Sequence, residues 1–249
     1  MKTKFSLYAV VTVLVMFLMS LVQLAFAQKI AKKDYKTEER PVTDFTRIEV
    51  SGPFEVIMVQ DGTEKLSIEA DPEDLADIIT DVRGGKLVIR YDRNNWGNWS
   101  DRNSRRFYVK LSVKNLEAIS TSASAVLRNT GMLKTDRLSL GASSGSDLEL
   151  NLEAGEVNCE TSSGADVKLA GTANFFEVDV SSGADVAAGD LKAVRCLANA
   201  SSGADATVHA TEELDAQASS GGDVRYYGNP AKLKVRSSSG GDVTSKGKQ

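Results

Sequence analysis

The chain has 249 residues, with 30 Lys and Arg against 34 Asp and Glu and a single His, for a net charge of −4. Without residues 1–27, which hold Lys2, Lys4 and no acid, the balance is −6, which disfavours nucleic acid and anionic membrane surfaces as partners. One His and two Cys leave few zinc ligands, and neither a metal nor a cofactor is expected.

Lys2 and Lys4 open a leader. Leu7–Leu24 is almost wholly apolar, and Ala25-Phe26-Ala27 supplies the small-x-small pattern of a signal-peptidase site, so residues 1–27 read as a signal peptide. The alternative is a retained anchor, since the run approaches the ~18–20 residues of a membrane span. No second such run follows, and no transmembrane helix is expected after cleavage. Residues 28–43 are polar and aperiodic and read as a flexible spacer. A domain is expected over 44–249, irregular over 44–125 and regular over 126–249.

Phe45, Ile48 and Val50 begin the strand signals, and Ser51-Gly52-Pro53 turns the chain. Phe54, Val56 and Met58 alternate with Glu55, Ile57 and Val59, and Asp61-Gly62 predicts a hairpin-like turn into Leu66 and Ile68. Asp71 as cap, Pro72 at the first helical position and Glu73 and Asp74 in the first turn predict one short helix ending near Gly84-Gly85. Lys86–Tyr91 and Phe107–Val113 read as strands around a polar loop, 92–106.

From about Leu138 a five-residue signature recurs, Ser-Ser-Gly-x-Asp, closing at Asp147, Asp166, Asp185, Asp205, Asp223 and Asp242, in steps of 19, 19, 20, 18 and 19. Aligned on the Asp, three columns are apolar throughout. They are Leu138, Val157, Phe176, Cys196, Leu214 and Leu233; Leu140, Cys159, Val178, Ala198, Ala216 and Val235; and Leu148, Val167, Val186, Ala206, Val224 and Val243. Between the first two runs a mostly polar column (Ser139, Asn158, Glu177, Leu197, Asp215, Lys234), and after the second another (Gly141, Glu160, Asp179, Asn199, Gln217, Arg236). Period-two alternation on both sides of a turn predicts an all-β protein, a β-solenoid of the right-handed β-helix type with ~19-residue coils. Thr121–Val126 reads as an earlier coil that has lost its Gly and Asp, and Ser51–Val56 as a more distant one.

The corner Gly is expected to supply a positive φ, and the Ser and Asp side chains to accept the corner's own N–H groups. On that reading the Asp ladder is architectural and its carboxylates are ionised with a lowered pKa. A Ca²⁺ ladder is the alternative, but it has too few oxygens per corner. Catalytic residues are not expected: His209 reads as a surface residue, the serines have no base beside them, and a catalytic pair does not occur six times. Cys159 and Cys196 fall in inward columns two coils apart, ~10 Å, beyond disulfide reach, and read as buried free thiols. Trp96, Trp99, Arg102 and Arg105 sit in one polar loop, a combination that stacks on and hydrogen-bonds sugars or peptides. The alternative is that the two Trp cap the solenoid.

Phe45-x-x-Ile48-x-Val50-Ser51-Gly52, Phe54-x-Val56, Ala70-Asp71-x-Glu73, Leu87-x-Ile89 and the Ser-Gly-x-Asp coils together resemble the head GIN domain family over roughly residues 44–245. That family is described as autotransporter adhesin heads and is common in Bacteroidetes-type bacteria. The resemblance implies an exported β-helix-like domain in the envelope of a Gram-negative cell (periplasm, outer membrane or surface) without established catalytic residues. The expected function is a non-catalytic adhesin-like or structural module whose partner is a glycan or an envelope protein. The alternatives are a polysaccharide-active enzyme on a β-helix and a self-assembling envelope scaffold.

Overall fold

A computed structural model of the chain describes residues 35–92 and 106–247. The elements are β1 (Lys36–Arg40), β2 (Arg47–Ser51), β3 (Phe54–Gln60), β4 (Lys65–Ala70), α1 (Pro72–Leu75), β5 (Ile78–Arg83), β6 (Lys86–Tyr91), β7 (Phe107–Val113), β8 (Ala118–Ser122) and β9 (Val126–Thr130). The repeats follow as β10 (Leu133–Ala142), β11 (Asp147–Thr161), β12 (Asp166–Val180), β13 (Asp185–Ser201), β14 (Asp205–Ser219), β15 (Asp223–Tyr227), β16 (Lys232–Ser237) and β17 (Asp242–Ser245).

The repeat strands stack in parallel at the register that the alignment requires. Leu138 lies beside Val157, then Phe176, Cys196, Leu214 and Leu233, and Leu148 beside Val167, Val186, Ala206, Val224 and Val243. The three apolar columns are buried as far as Leu214, Ala216 and Val224. One coil has no second layer to bury this face, so stacking alone creates the core. The core tapers. Phe54, Met58, Ile48 and Leu66 fill its N-terminal part, whereas Ala198, Ala206, Ala210, Ala216 and Ala218 fill the C-terminal coils.

Both degenerate stretches are coils in line with the rest. β8 and β9 flank a corner at Ser122–Ala125 and pair with β10 and β11 on one side and with β2 and β3 on the other. The solenoid therefore starts at β2, and about seven turns follow one another without a domain boundary. Beyond β2 and β3 come β6 and β7, still parallel. There the winding stops, because β5 adds to β6, and β4 to β7, in antiparallel sense, with β1 on β4.

Three local expectations are corrected here. The helix spans only Pro72–Leu75, capped by Asp71 through the Glu73 N–H. The β-branched run Ile78, Ile79, Thr80 and Val82 then forms β5, and Gly84 and Gly85, at φ 55° and 75°, turn a hairpin into β6 rather than end a helix. Asp61-Gly62 does not close a hairpin, because β7 lies between β3 and β4 and pairs with both. The expected spacer 28–43 is ordered from Lys36, since β1 pairs with β4 and Val42 is buried.

The corners are built identically. The second Ser (Ser144, Ser163, Ser182, Ser202, Ser220, Ser239) has φ 50–56°, and the Gly after it has φ 66–78°. Two successive left-handed residues make a type I′ turn, closed in coil after coil by bonds such as Ala165 N–H to Ser162 O, 3.3 Å, and Gly222 N–H to Ser219 O, 2.9 Å. The corner Gly N–H donates onward to the left-handed Ser carbonyl of the next coil, 3.2 Å from Gly145 to Ser163 and again from Gly164 to Ser182. Backbone thus satisfies backbone. Side-chain capping of the corner is recorded at one repeat, where Ser146 Oγ accepts from Ser143 N–H at 3.2 Å. Nothing in the structure explains serine rather than asparagine at the left-handed position.

The fourth corner residue is turned fully inward: Ser146, Ala165, Ala184 and Ala204 are at most 1% exposed. In the last two coils it is Gly222 and Gly241, where a Cβ would lie 2.7 Å from Ser201 N and 2.6 Å from Ala218 C. Gly222→Ala is therefore expected to destabilise by about 1–3 kcal/mol, measured by urea unfolding. Val178→Asp, which places an uncompensated charge in a fully buried apolar column, is expected to cost about 4 kcal/mol or more. Glu177→Ala, one residue earlier on the outer face, should stay within about 0.5 kcal/mol. Equal losses at 177 and 178 would refute the inward and outward assignment.

Candidate functional site

The outer polar column beside the corner is a trough rather than a ridge. Gly141 has no side chain there, and Glu160, Asp179 and Asn199 follow it in register, with the first corner serines Ser162 and Ser181 forming the opposite bank. The resulting groove has a volume of about 570 Å³ and crosses five coils, from Ser120 to Asn199. Its depth at the N-terminal end comes from Gly141, whose Cβ position lies only 3.5 Å from Ser120 Oγ. Asn199 Nδ2 donates to Asp179 Oδ1 at 2.8 Å. Hydroxyls, one amide and two carboxylates therefore recur along the groove at the strand spacing of ~4.8 Å. The residues stand in the polar column already aligned from the sequence. The depression does not, because it forms only where that column runs beside the corner in successive coils, opened at its N-terminal end by Gly141.

Across the corner runs the Asp ladder, each Asp paired in register with the next from Asp147 to Asp242. The expected corner hydrogen bonds to these carboxylates are absent among the described residues, because the corner N–H groups are taken by neighbouring coils. The carboxylates find other partners, unevenly. Arg225 reaches both Asp205 Oδ1 and Asp223 Oδ2 at 3.2 Å, and Thr244 Oγ1 donates to Asp242 Oδ2 at 2.9 Å. Asp147, Asp166 and Asp185 have no such donor among the described residues. Burial, then the charges of Asp147 and Asp185, push the pKa of Asp166 up, not down as the sequence reading expects. The next outer column is balanced instead: Arg128 bridges Glu55 and Glu149, at 3.8 and 3.2 Å, and Lys168 meets Glu149 at 3.3 Å. Those partners hold the Glu149 carboxyl below its ordinary value, the Lys168 hydrogen bond first. Among the described residues no group of three or more His, Cys, Asp or Glu is placed to hold a metal ion.

Residues 44–230 match the family described as "Putative auto-transporter adhesin, head GIN domain". The chain belongs to this family. Its fold is shared with an adhesin, described as putative, from Bacteroides fragilis (22% identity, 86% of this chain and 98% of that one, TM-score 0.77). A putative adhesin from Parabacteroides merdae (18% identity, 86% and 97%, TM-score 0.65) and a putative lipid binding protein from Parabacteroides distasonis (20% identity, 86% and 97%, TM-score 0.66) have the same fold. No curated protein has a significant match to the chain.

The remaining expected residues of this GIN domain fall as follows. Trp96, Trp99, Arg102 and Arg105 lie outside the described residues. Cys159 and Cys196 are buried free thiols. Burial pushes the Cys159 thiol up to about 12, eased by the Thr161 hydroxyl and reinforced by Glu160 and Asp179, and burial also pushes the Cys196 thiol up, so both are protonated and unreactive at neutral pH. His209, expected on the surface, is only 6% exposed. The 20-residue coil breaks register near Gly189, and His209 Nδ1 lies 3.2 Å from the Gly189 carbonyl. The imidazole replaces a ladder partner that the irregularity removes, a structural use of the one histidine.

Asp166 gives the site a pH signature opposite to the usual carboxylate. Its folded pKa is raised, so ionisation opposes folding above that pKa, and the penalty disappears as pH falls through it. Asp166→Asn should raise the Tm at neutral pH by about 1 °C, a size set by solvent screening, and the gain should vanish in acid and in high salt. Glu149→Gln should do the reverse, lowering stability at neutral pH and not below the carboxylate range, because its folded pKa is depressed. Scanning calorimetry from pH 3 to 8 on both variants checks the two signs.

Proposed function

We propose that this GIN domain is an exported, non-catalytic binding module of the cell envelope or surface whose ligand lies along the corner groove. The observation that carries the proposal is the five-coil trough, in which serine hydroxyls, Asn199, Glu160 and Asp179 repeat at strand spacing. A linear ligand rich in hydroxyl groups, such as a neutral or amino-sugar glycan, meets donors and acceptors at each coil. The acidic surroundings exclude polyanions. The leader and the adhesin-like family support export. No helix among the described residues is long and apolar enough to cross a membrane. A binding role is favoured over hydrolysis because Asp179 is held by Asn199 and the family is described as adhesin heads.

A glycan array followed by calorimetric titration tests the proposal. Glu160→Lys with Asp179→Lys should weaken binding of a hit by about tenfold or more with little change in Tm, since both side chains are exposed. The same titration on Trp96→Ala with Trp99→Ala measures what the loop adds. Release of reducing ends from a bound polysaccharide, abolished by Glu160→Gln, would replace the binding role with an enzymatic one.

A further inference from the structure

The two ends of the solenoid are not equivalent. The N-terminal end carries antiparallel strands, β1 on β4 and β5 on β6, on which Asp81 pairs with Arg83 and Glu38 with Arg40. The C-terminal end has no such strands among the described residues. All six residues of β16 are exposed. Leu233 and Val235 are 50% and 42% exposed, whereas Leu214 and Ala216, one coil earlier in the same columns, are at 1% and 0%. This edge keeps an unpaired row of backbone donors and acceptors, the feature that accepts an added strand.

The charges along the columns say what kind of strand fits. Ten residues before the repeat Asp, successive coils carry Arg137, Glu156, Phe175, Arg195, Glu213 and Lys232. Signs alternate wherever a charge occurs, with Arg137 at 3.5 Å from Glu156 and Lys232 at 3.6 Å from Glu213. Two residues on, Asp215 meets Lys234 at 3.1 Å and Arg236 at 2.9 Å. On this side of the coil, unlike in the Asp ladder, a charge can be sandwiched between opposite charges, as Arg128 is between Glu55 and Glu149. Lys232, Lys234 and Arg236 have their acids on one side only, and the next place in each column calls for a carboxylate.

We propose that β16 is a docking edge for an extended segment of another protein that alternates carboxylate and aliphatic side chains. The carboxylates continue the columns of Lys232, Lys234 and Arg236, and the aliphatic side chains cover Leu233 and Val235. A second copy of this chain is the wrong occupant. Two β16 edges brought together set cations against cations, and among the acids of β1 and β5 only Glu39 is outside an ion pair, one carboxylate against three cations. The chain's own segments outside the described residues are also wrong in sign. Residues 1–34 hold five Lys against Asp34, and 93–105 hold Arg93, Arg102 and Arg105 against Asp101.

The test is fluorescence anisotropy with the whole exported chain and two capped, labelled peptides, TEVDVET and TKVKVKT. The acidic peptide should bind saturably and more weakly as salt rises, and the basic one at least about tenfold more weakly. Lys232→Glu with Lys234→Glu should reverse that preference. Leu233→Ser with Val235→Ser, at half-exposed positions in the last coil, should weaken the acidic peptide while the chain still melts cooperatively. Binding of both peptides alike, no saturable binding of TEVDVET, or an unchanged preference in the charge-reversed chain that still melts cooperatively would overturn the proposal. So would concentration-dependent dimerisation that the acidic peptide does not compete away.

Discussion

Each of the six repeat corners reverses through a serine and a glycine that both occupy the left-handed region, and for the serine this costs about 1–2 kcal/mol relative to ordinary backbone. The conformation survives because it is over-determined. It closes the turn through the N–H of the fourth residue, and it points the glycine N–H and the serine carbonyl along the solenoid axis, where each meets its counterpart in the adjacent coil. One isolated corner would have the strain without the second bond, so strain and compensation are matched only in a stack. This ladder fixes the register of neighbouring coils, and a register slip would move every apolar side chain to the wrong face. The Ser122–Ala125 corner shows how strong the constraint is: Ala123 and Ser124 hold φ 54° and 65° with no glycine at all.

Because the backbone closes its own accounts at the corner, the polar side chains around it are released from structural duty. That is why the surfaces on either side can be acidic and unevenly compensated. The Asp ladder is neutralised at its C-terminal part by Arg225, while Asp147, Asp166 and Asp185 repel one another at the strand spacing. On the other bank Asn199 steadies Asp179, and Gly141 opens the groove. Charge that folding does not require, repeated along an axis, suits a module that meets a repeating ligand.

The taper of the core gives the array direction. Large side chains at the N-terminal end pack against closing antiparallel strands, whereas the alanine-lined C-terminal coils end in a bare parallel edge. The cations on β16 guard the open end against like copies while leaving it available to an acidic strand.

The sequence by itself determined the coil length, the inward columns, the corner positions and the two buried cysteines, because each is a local or strictly periodic property: an apolar residue every second position, and a glycine where φ is positive. It also carried the family resemblance, which rests on those same positions. The tertiary structure decided what depends on neighbours in space. β5 replaced most of the expected helix once β6 offered it a partner, and β7 entered between β3 and β4 where adjacency in sequence suggested a hairpin. Corner N–H groups went to adjacent coils instead of to Asp, which reversed the direction of the Asp166 shift, and His209 turned inward because the 20-residue coil broke register at Gly189. The groove, too, exists only when five coils lie side by side. Periodicity is written in one coil, but hydrogen-bond partners and charge neighbours belong to the stack.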